Sequence, residues 1–327
     1  MGASPFKPAW WLRSPHLQTL WPSLLRARFE PPPTLLRERI ELDDGDFLDL
    51  DRLREDGPQT AARPLVIVLP GLEGSSRSAY AWGMLRAVNA AGFEGVIMHF
   101  RGCSGEPNRA ERTYHSGETT DIAQVVKRLG AQAPAVAAVG VSLGGNVLLK
   151  WLGETGTPNP LACAVAISVP YQLERCAARM EHGFSRFYQW WLMRSLRRSV
   201  LTKWRGQECG QFDLAKVPDT RTFREFDDAV TAPLHGFTDA DDYYARSSSR
   251  RFLPSISRPT LLVHATDDPF MYPDVLPEDN EVPANITLDL STEGGHVGFV
   301  SGTVPWRCEY WAESRAVEFM SSHIHNS

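Results

Sequence analysis

Short apolar runs constrain this 327-residue chain more than any other feature: Leu65–Leu69 (LVIVL), the one opening GVIMHFRGCSGEP, and the Val/Ala run from Ala135 to Val139, with two further strands expected late in the chain in RPTLLVHATDDPF and NITLDLSTEGGHVGF. Each has strand length, and the earlier ones are closed by glycine-rich loops and followed by helical spacing. A helix is expected from about Tyr80 to Ala91, another in GETTDIAQVVKRLG, and a third from Asn146 to Leu152, where Val147, Leu148, Trp151 and Leu152 share a face. Strands that are apolar throughout and alternate with helices imply a mostly parallel central sheet covered by helices on both faces. In such sheets ligands bind beyond the carboxyl ends of the strands, where these glycine loops lie.

The third run ends in Gly140-Val141-Ser142-Leu143-Gly144, which puts Ser142 on a strand-to-helix corner. Glycines two positions before and after remove side chains that would clash in a tight turn, so the hydroxyl can project beside a helix N-terminus. The same residues also suit an ordinary turn with a helix-capping serine, and partners have to decide between the two. The two late strands supply them. Asp267 and Asp268 follow TLLVHAT, and His296 follows ITLDLSTEGG between Gly294-Gly295 and Gly298. The chain order of nucleophile, acid and histidine is that of the α/β-hydrolases. A serine hydroxyl needs an imidazole to take its proton, and the imidazole needs a carboxylate to hold its tautomer. Backbone N–H groups for a developing oxyanion are expected from Leu143, at the helix start, and from Leu72, in the loop PGLEGSS after the first central strand.

Composition excludes several classes. The hydrophobic fraction of 43% and charged fraction of 22% are those of a globular protein, and a net charge of −5 offers no electrostatic footprint for nucleic acid. Cys103, Cys163, Cys176, Cys209 and Cys308 are scattered, odd in number and without a CxxC pair, as expected of reduced thiols in a cytoplasmic protein. Lys7, Arg13 and several prolines interrupt the N-terminal stretch. Phe6 stands where a myristoylated sequence has Ser or Thr, so neither secretion nor a lipid anchor is expected. No run is long enough to span a bilayer. Arg39–Asp51 is expected as two strands around Asp44-Gly45, a solvated hairpin without chemistry of its own.

Longer motifs carry a family resemblance. GLEGSSRSAYAWGM, VIMHFRGCSGEPNRAERTYHSGETTD, AVGVSLGGN, MEHGFSRFYQ, FREFDDAVTAPLHGF and HATDDPFM, with GGHVGF after them and PHLQTLWP near the start, resemble the YheT-like branch of the α/β-hydrolase superfamily. The resemblance implies an α/β-hydrolase fold and a serine hydrolase of carboxylic esters, with relatives linked to medium-chain acyl esters, acyl transfer to alcohols and phospholipids. It places Ser142, Asp268 and His296 on the triad motifs. Asp268 fits the acid-turn pattern through the Pro269-Phe270-Met271 that follows it, and Asp267 is the alternative. No metal or organic cofactor is implied. One departure is Pro70-Gly71 where the family has His-Gly. Proline has no N–H, so support of the oxyanion loop differs although Leu72 keeps its amide. Arg101, Cys103, Tyr114 and His115 are expected to build loops beside the pocket, and Cys103 has no base to make it a nucleophile.

The chain is expected to be a single domain, 1–327, with an N-terminal arm over about 1–38 and a helical cap inserted over about 171–251. In the cap, Phe184, Phe187, Tyr188, Trp190, Trp191 and Met193 precede Arg194, Arg197, Arg198, Lys203 and Arg205. These residues suit a lid with an apolar face for an acyl chain and a basic rim toward anionic head groups, and equally a helix packed on its neighbours. Three functions fit: a cytoplasmic esterase acting on a small, lipid-like ester with peripheral membrane contact, an acyltransferase using the same acyl-enzyme, and a noncatalytic binding protein on the same fold.

Overall fold

A computed structural model describes residues 2–3, 6–54 and 62–324. Among the described residues nine strands form one sheet: β1 (Gly2–Ala3), β2 (Leu35–Glu41), β3 (Phe47–Leu53), β4 (Leu65–Leu69), β5 (Glu94–Met98), β6 (Val136–Val141), β7 (Cys163–Ile167), β8 (Thr260–Ala265) and β9 (Ile286–Ser291). Their order is β1-β9-β8-β7-β6-β4-β5-β3-β2, and every neighbouring pair is parallel except β2–β3 and β3–β5, so β3 alone is reversed. β10 (Val300–Val304) and β11 (Arg307–Tyr310) form a separate hairpin.

The helices are α1 (Pro15–Phe29), α2 (Ala79–Ala90), α3 (Thr120–Gly130), α4 (Leu143–Thr155), α5 (Leu173–Met180), α6 (Ser185–Lys203), α7 (Phe223–Phe226), α8 (Ala232–His235), α9 (Ala240–Ser247) and α10 (Trp311–Ile324). Burial on both sheet faces explains why central strands such as β4, β6 and β7 are apolar throughout. Along β4, Leu65, Ile67 and Leu69 join the core under α3 and α4, while Val66 and Val68 point into the core under α2 and α10. The chain leaves β4 to one side for β5 and returns to its other side for β6, so the loops after β4 and β6 diverge at a topological switch point.

Between β7 and β8 the chain is helical, with α7 passing through a π-helical turn, Asp227–Thr231, into α8. This segment has a small core of its own, including Met193, Val200, Trp204, Phe226 and Val230.

The structure corrects the sequence reading in four places. β7 is an additional central strand. β2 begins at Leu35, ahead of the expected Arg39. Val300–Val304 and Arg307–Tyr310 pair as the β10–β11 hairpin, which no expected strand covers. Residues 2–3 add a parallel edge strand beside β9. β7 and the edge pairing are defined by partners far along the chain, and the β10–β11 hairpin is too short and irregular in register to show an alternation, so local periodicity registers none of them.

Candidate active site

Ser142 follows β6 directly and precedes the first residue of α4. Its backbone is left-handed, φ 53° and ψ −120°, a strained conformation for a residue with a Cβ. The flanking glycines permit it sterically: a Cβ on Gly144 would collide with the carbonyl oxygens of Leu69 and Pro70, and one on Gly140 would meet the Gly145 backbone. Strand, loop and helix cross too closely here for side chains. Leu143 is the first residue of α4, so its N–H precedes any intrahelical acceptor.

His296 stands in a loop with successive left-handed residues, Gly294, Gly295, Val297 and Phe299. Its Nε2 is 3.0 Å from Ser142 Oγ and its Nδ1 is 2.8 Å from Asp268 Oδ2. A carboxylate only accepts, so this geometry puts the imidazole proton on Nδ1 and leaves Nε2 as the acceptor facing the serine. His296 and Asp268 are both buried. Asp268 Oδ1 accepts the Phe270 N–H at 2.8 Å, and the Phe270 ring lies parallel to the imidazole with centroids 4.0 Å apart. Asp267 turns the other way and accepts the Gly295 N–H at 2.9 Å. Burial pushes its carboxyl pKa up, against the lowering effect of the Gly294 and Gly295 amides.

The loop after β4 lies against the serine: a Cβ on Gly71 would come 3.3 Å from the Ser142 Cβ. With Pro70 unable to donate, two tyrosines hold this loop. Gly71 N–H donates to Tyr80 Oη (2.8 Å) and Glu73 N–H to Tyr114 Oη (2.9 Å), so the amides on either side of Leu72 are pinned. Glu73 has φ 55°. Its carboxylate accepts hydrogen bonds from Tyr114 (2.9 Å) and from Ser195 (2.9 Å) and Ser199 (2.6 Å) of α6.

The loop residues that resembled family motifs take up structural places. Arg101 is buried between Asp121 (2.7 Å), Asp46 (2.7 Å) and Asp44 (2.8 Å). The His115 ring is partly buried, and its Nδ1 accepts the Gly117 N–H. Burial and the nearby Glu73 carboxylate push the Cys103 thiol well up, so it stays protonated. No group of three or more His, Cys, Asp or Glu among the described residues is arranged to hold a metal ion.

Sequence reasoning did not find the supports of the histidine loop. Thr19 Oγ1 accepts the His296 N–H (2.9 Å), and Ser168 Oγ accepts that of Val297 (3.0 Å). Fully buried Gln18 donates to Leu12 and Val300 carbonyls and accepts the Val300 N–H. Thr19 and Gln18 sit in the PHLQTLWP stretch of α1, whose family patterning was the available signal.

Ser142, Leu143, Leu72 and His296 open on a cavity of about 940 Å³. Its wall is apolar along Leu173, Met180, Leu196, Phe226 and Val230, while Arg77 and Arg198 also line it. Thr19, Leu20, Ser23 and Leu24 of α1 complete one side.

Comparison with known proteins agrees with this architecture. Residues 64–303 match the family described as the alpha/beta hydrolase fold. YheT of Escherichia coli (strain K12), which carries the name of an esterase, is 43% identical over 313 residues, 94% of this chain and 91% of its own. Phospholipase ABHD3 of Mus musculus is 32% identical over 330 residues, 98% of this chain and 80% of its own. Among solved structures, the Pyrococcus furiosus esterase Pf2001 superposes with a TM-score of 0.59 at 17% identity, over 99% of this chain and 98% of its own, a likeness of fold alone. The chain therefore belongs to the α/β-hydrolase family, in its YheT-like branch.

Proposed function

We propose that this α/β hydrolase is a serine esterase that cleaves short- to medium-chain carboxylic esters through an acyl-enzyme on Ser142. The observation that carries the proposal is the imidazole of His296 bridging Ser142 Oγ and the buried Asp268 carboxylate at the edge of a largely apolar cavity. Ser142 Oγ attacks the ester carbonyl carbon as its proton passes to Nε2. Asp268 stabilises the resulting imidazolium. The negative oxygen of the tetrahedral intermediate receives the Leu143 and Leu72 amides. Collapse breaks the bond to the alkoxy oxygen, which leaves with the proton from Nε2 as the alcohol. Water then repeats the sequence at the acyl-enzyme, its proton going to Nε2 and the Ser142 oxygen recovering it on release of the acid.

In this reading the helical segment over about 171–251 is a cap that walls the acyl site. The cavity volume is within the range of small-molecule sites, which supports a chain of limited length. All five cysteines are free thiols, which supports a cytoplasmic setting. No helix among the described residues is long and apolar enough to cross a membrane.

A fluorophosphonate probe followed by peptide mapping tests the nucleophile. The expected adduct is on Ser142 and absent from Ser142→Ala. Asp268→Asn is expected to slow labelling by roughly 10⁴, whereas Asp267→Asn, which keeps an acceptor for Gly295, slows it less than about tenfold. Folded wild type that takes no label would overturn the reading. Ester series of increasing acyl length, with ethanol added to reveal transfer to an alcohol, then define substrate and acceptor.

A further inference from the structure

The two helices at the cavity mouth share an unusual surface. On α6, Phe184 at the N-cap, Phe187, Trp190 and Trp191 are between 42% and 58% exposed. On α1, Leu17 and Leu24 are 50% and 65% exposed. The helices meet side by side, with the His16 ring 4.5 Å from Phe184 and its Nδ1 3.2 Å from Tyr188 Oη. Leu20 and Leu24 from one helix and Phe187 and Trp191 from the other also line the cavity, so the exposed apolar surface is continuous with its entrance.

Charge on these helices is one-sided. Neither α1 nor α6 contains a single Asp or Glu, although the chain as a whole carries −5. Several of their cations have partners within the fold: Arg26 pairs with Glu313, Arg197 donates to the Thr220 carbonyl, and Lys203 to those of Asn108 and Ala110. Arg186, Arg194 and Arg198 of α6 and Arg28 of α1 remain exposed at the surface. Arg186 and Arg194 flank Trp190 one turn before and one turn after, on the same side of the helix. Indole rings with arginines beside them suit the boundary between acyl chains and head groups: the rings enter the boundary and the guanidinium groups reach phosphate.

We propose that the α1/α6 face docks on an anionic phospholipid surface, with the cavity mouth held against the lipid. Charge complementarity selects this occupant. A net-negative protein is repelled from such a surface except through a locally cationic face, so the charge pattern also sets the orientation. The surface is independent of the triad chemistry, and its test does not use turnover.

Co-sedimentation of the full chain with vesicles of phosphatidylcholine alone, or mixed with phosphatidylglycerol, is the experiment. The expected result is at least tenfold tighter binding to the mixed vesicles, weakened by salt, with a blue shift of tryptophan fluorescence. Arg186→Glu with Arg194→Glu is expected to abolish the preference for anionic lipid, and Leu17→Ser with Trp190→Ser to reduce binding at least tenfold. None of these residues lines the cavity, so fluorophosphonate labelling of each variant should match wild type and report that it is folded. Wild type that ignores both vesicle types would overturn the proposal. So would binding unaffected by the variants, or a lipid-independent dimer that the same variants dissociate. Failure of Ser142 to take the probe would instead strike the esterase reading and leave vesicle binding standing.

Discussion

Asp227 shows what a single residue's surroundings do to its chemistry. It opens the π-helical turn, lines the cavity, and accepts hydrogen bonds from Thr231 (2.7 Å) and Tyr244 (2.7 Å). Burial pushes its carboxyl pKa up to about 6, with neighbouring Asp228 adding to the rise and the two hydroxyls opposing it. An acid whose folded-state pKa is raised binds its proton more tightly folded than unfolded. Its stabilising contribution is therefore full below about pH 4 and is lost as pH climbs through 6. Asp227→Asn removes the ionisation. Relative to wild type, its stability is expected to improve as pH rises from 4 to 7, by up to about 2 kcal/mol. Urea titrations across that range check the trend, and parallel curves for the two proteins would contradict it. Asp267 and Asp268 teach the same lesson side by side, one bracing the Gly295 amide and the other meeting the imidazole.

Among the elements, the loop after β4 and helix α6 are joined by one side chain. The Glu73 carboxylate spans from Tyr114 to Ser195 and Ser199, which are one turn apart on α6, while the Glu73 backbone stands next to the Leu72 amide. A carboxylate bonded to two serines of the helix makes the position of the proposed oxyanion donor depend on where α6 sits. Ser195→Ala with Ser199→Ala frees that end without emptying a packed core. Misaligning one of two donors costs less than deleting it, so kcat is expected to fall about tenfold with KM changing little. Glu73→Gln, which can still bond the hydroxyls, should retain most activity and Glu73→Ala should not. Steady-state kinetics on a water-soluble ester decide this, and equal losses in kcat and affinity for both Glu73 variants would dismiss the tether.

Across the whole molecule, helix α1 is a structural partner of the site. Arg26 of α1 is buried, pairs bidentately with Glu313 at the start of α10, and has its guanidinium 3.5 Å from the centre of the Tyr310 ring. A Cβ on Gly83 of α2 would meet the Arg26 and Glu313 side chains, so a larger residue there would have to displace the pair. From the same helix, Gln18 and Thr19 fasten the strand and loop beside His296. Removing one member of a buried ion pair leaves the other uncompensated, so Arg26→Met is expected to destabilise the fold by about 3–5 kcal/mol. Adding Glu313→Leu should restore most of the loss. Chemical denaturation of the two variants measures it, and a double variant no better than the single one would refute the pairing.

Much of this protein is legible in its sequence. Continuous apolar strands, glycines at the corner around Ser142 and the order of serine, acid and histidine are local or ordinal properties, and they suffice for the α/β-hydrolase fold and for Ser142, His296 and the Asp267-Asp268 pair as candidates. β7 and the parallel pairing of residues 2–3 were missed because each is defined by partners far along the chain, and the β10–β11 hairpin because its strands are short and its register is irregular. Only tertiary structure shows which of the two aspartates meets the imidazole, since adjacent residues look alike until a turn sends one toward Nδ1 and the other toward a backbone amide. Only it placed α1 against the histidine loop and α6 against Glu73. Hydrogen bonds of that kind join residues more than a hundred positions apart, and their geometry exists only once the sheet has brought the loops together.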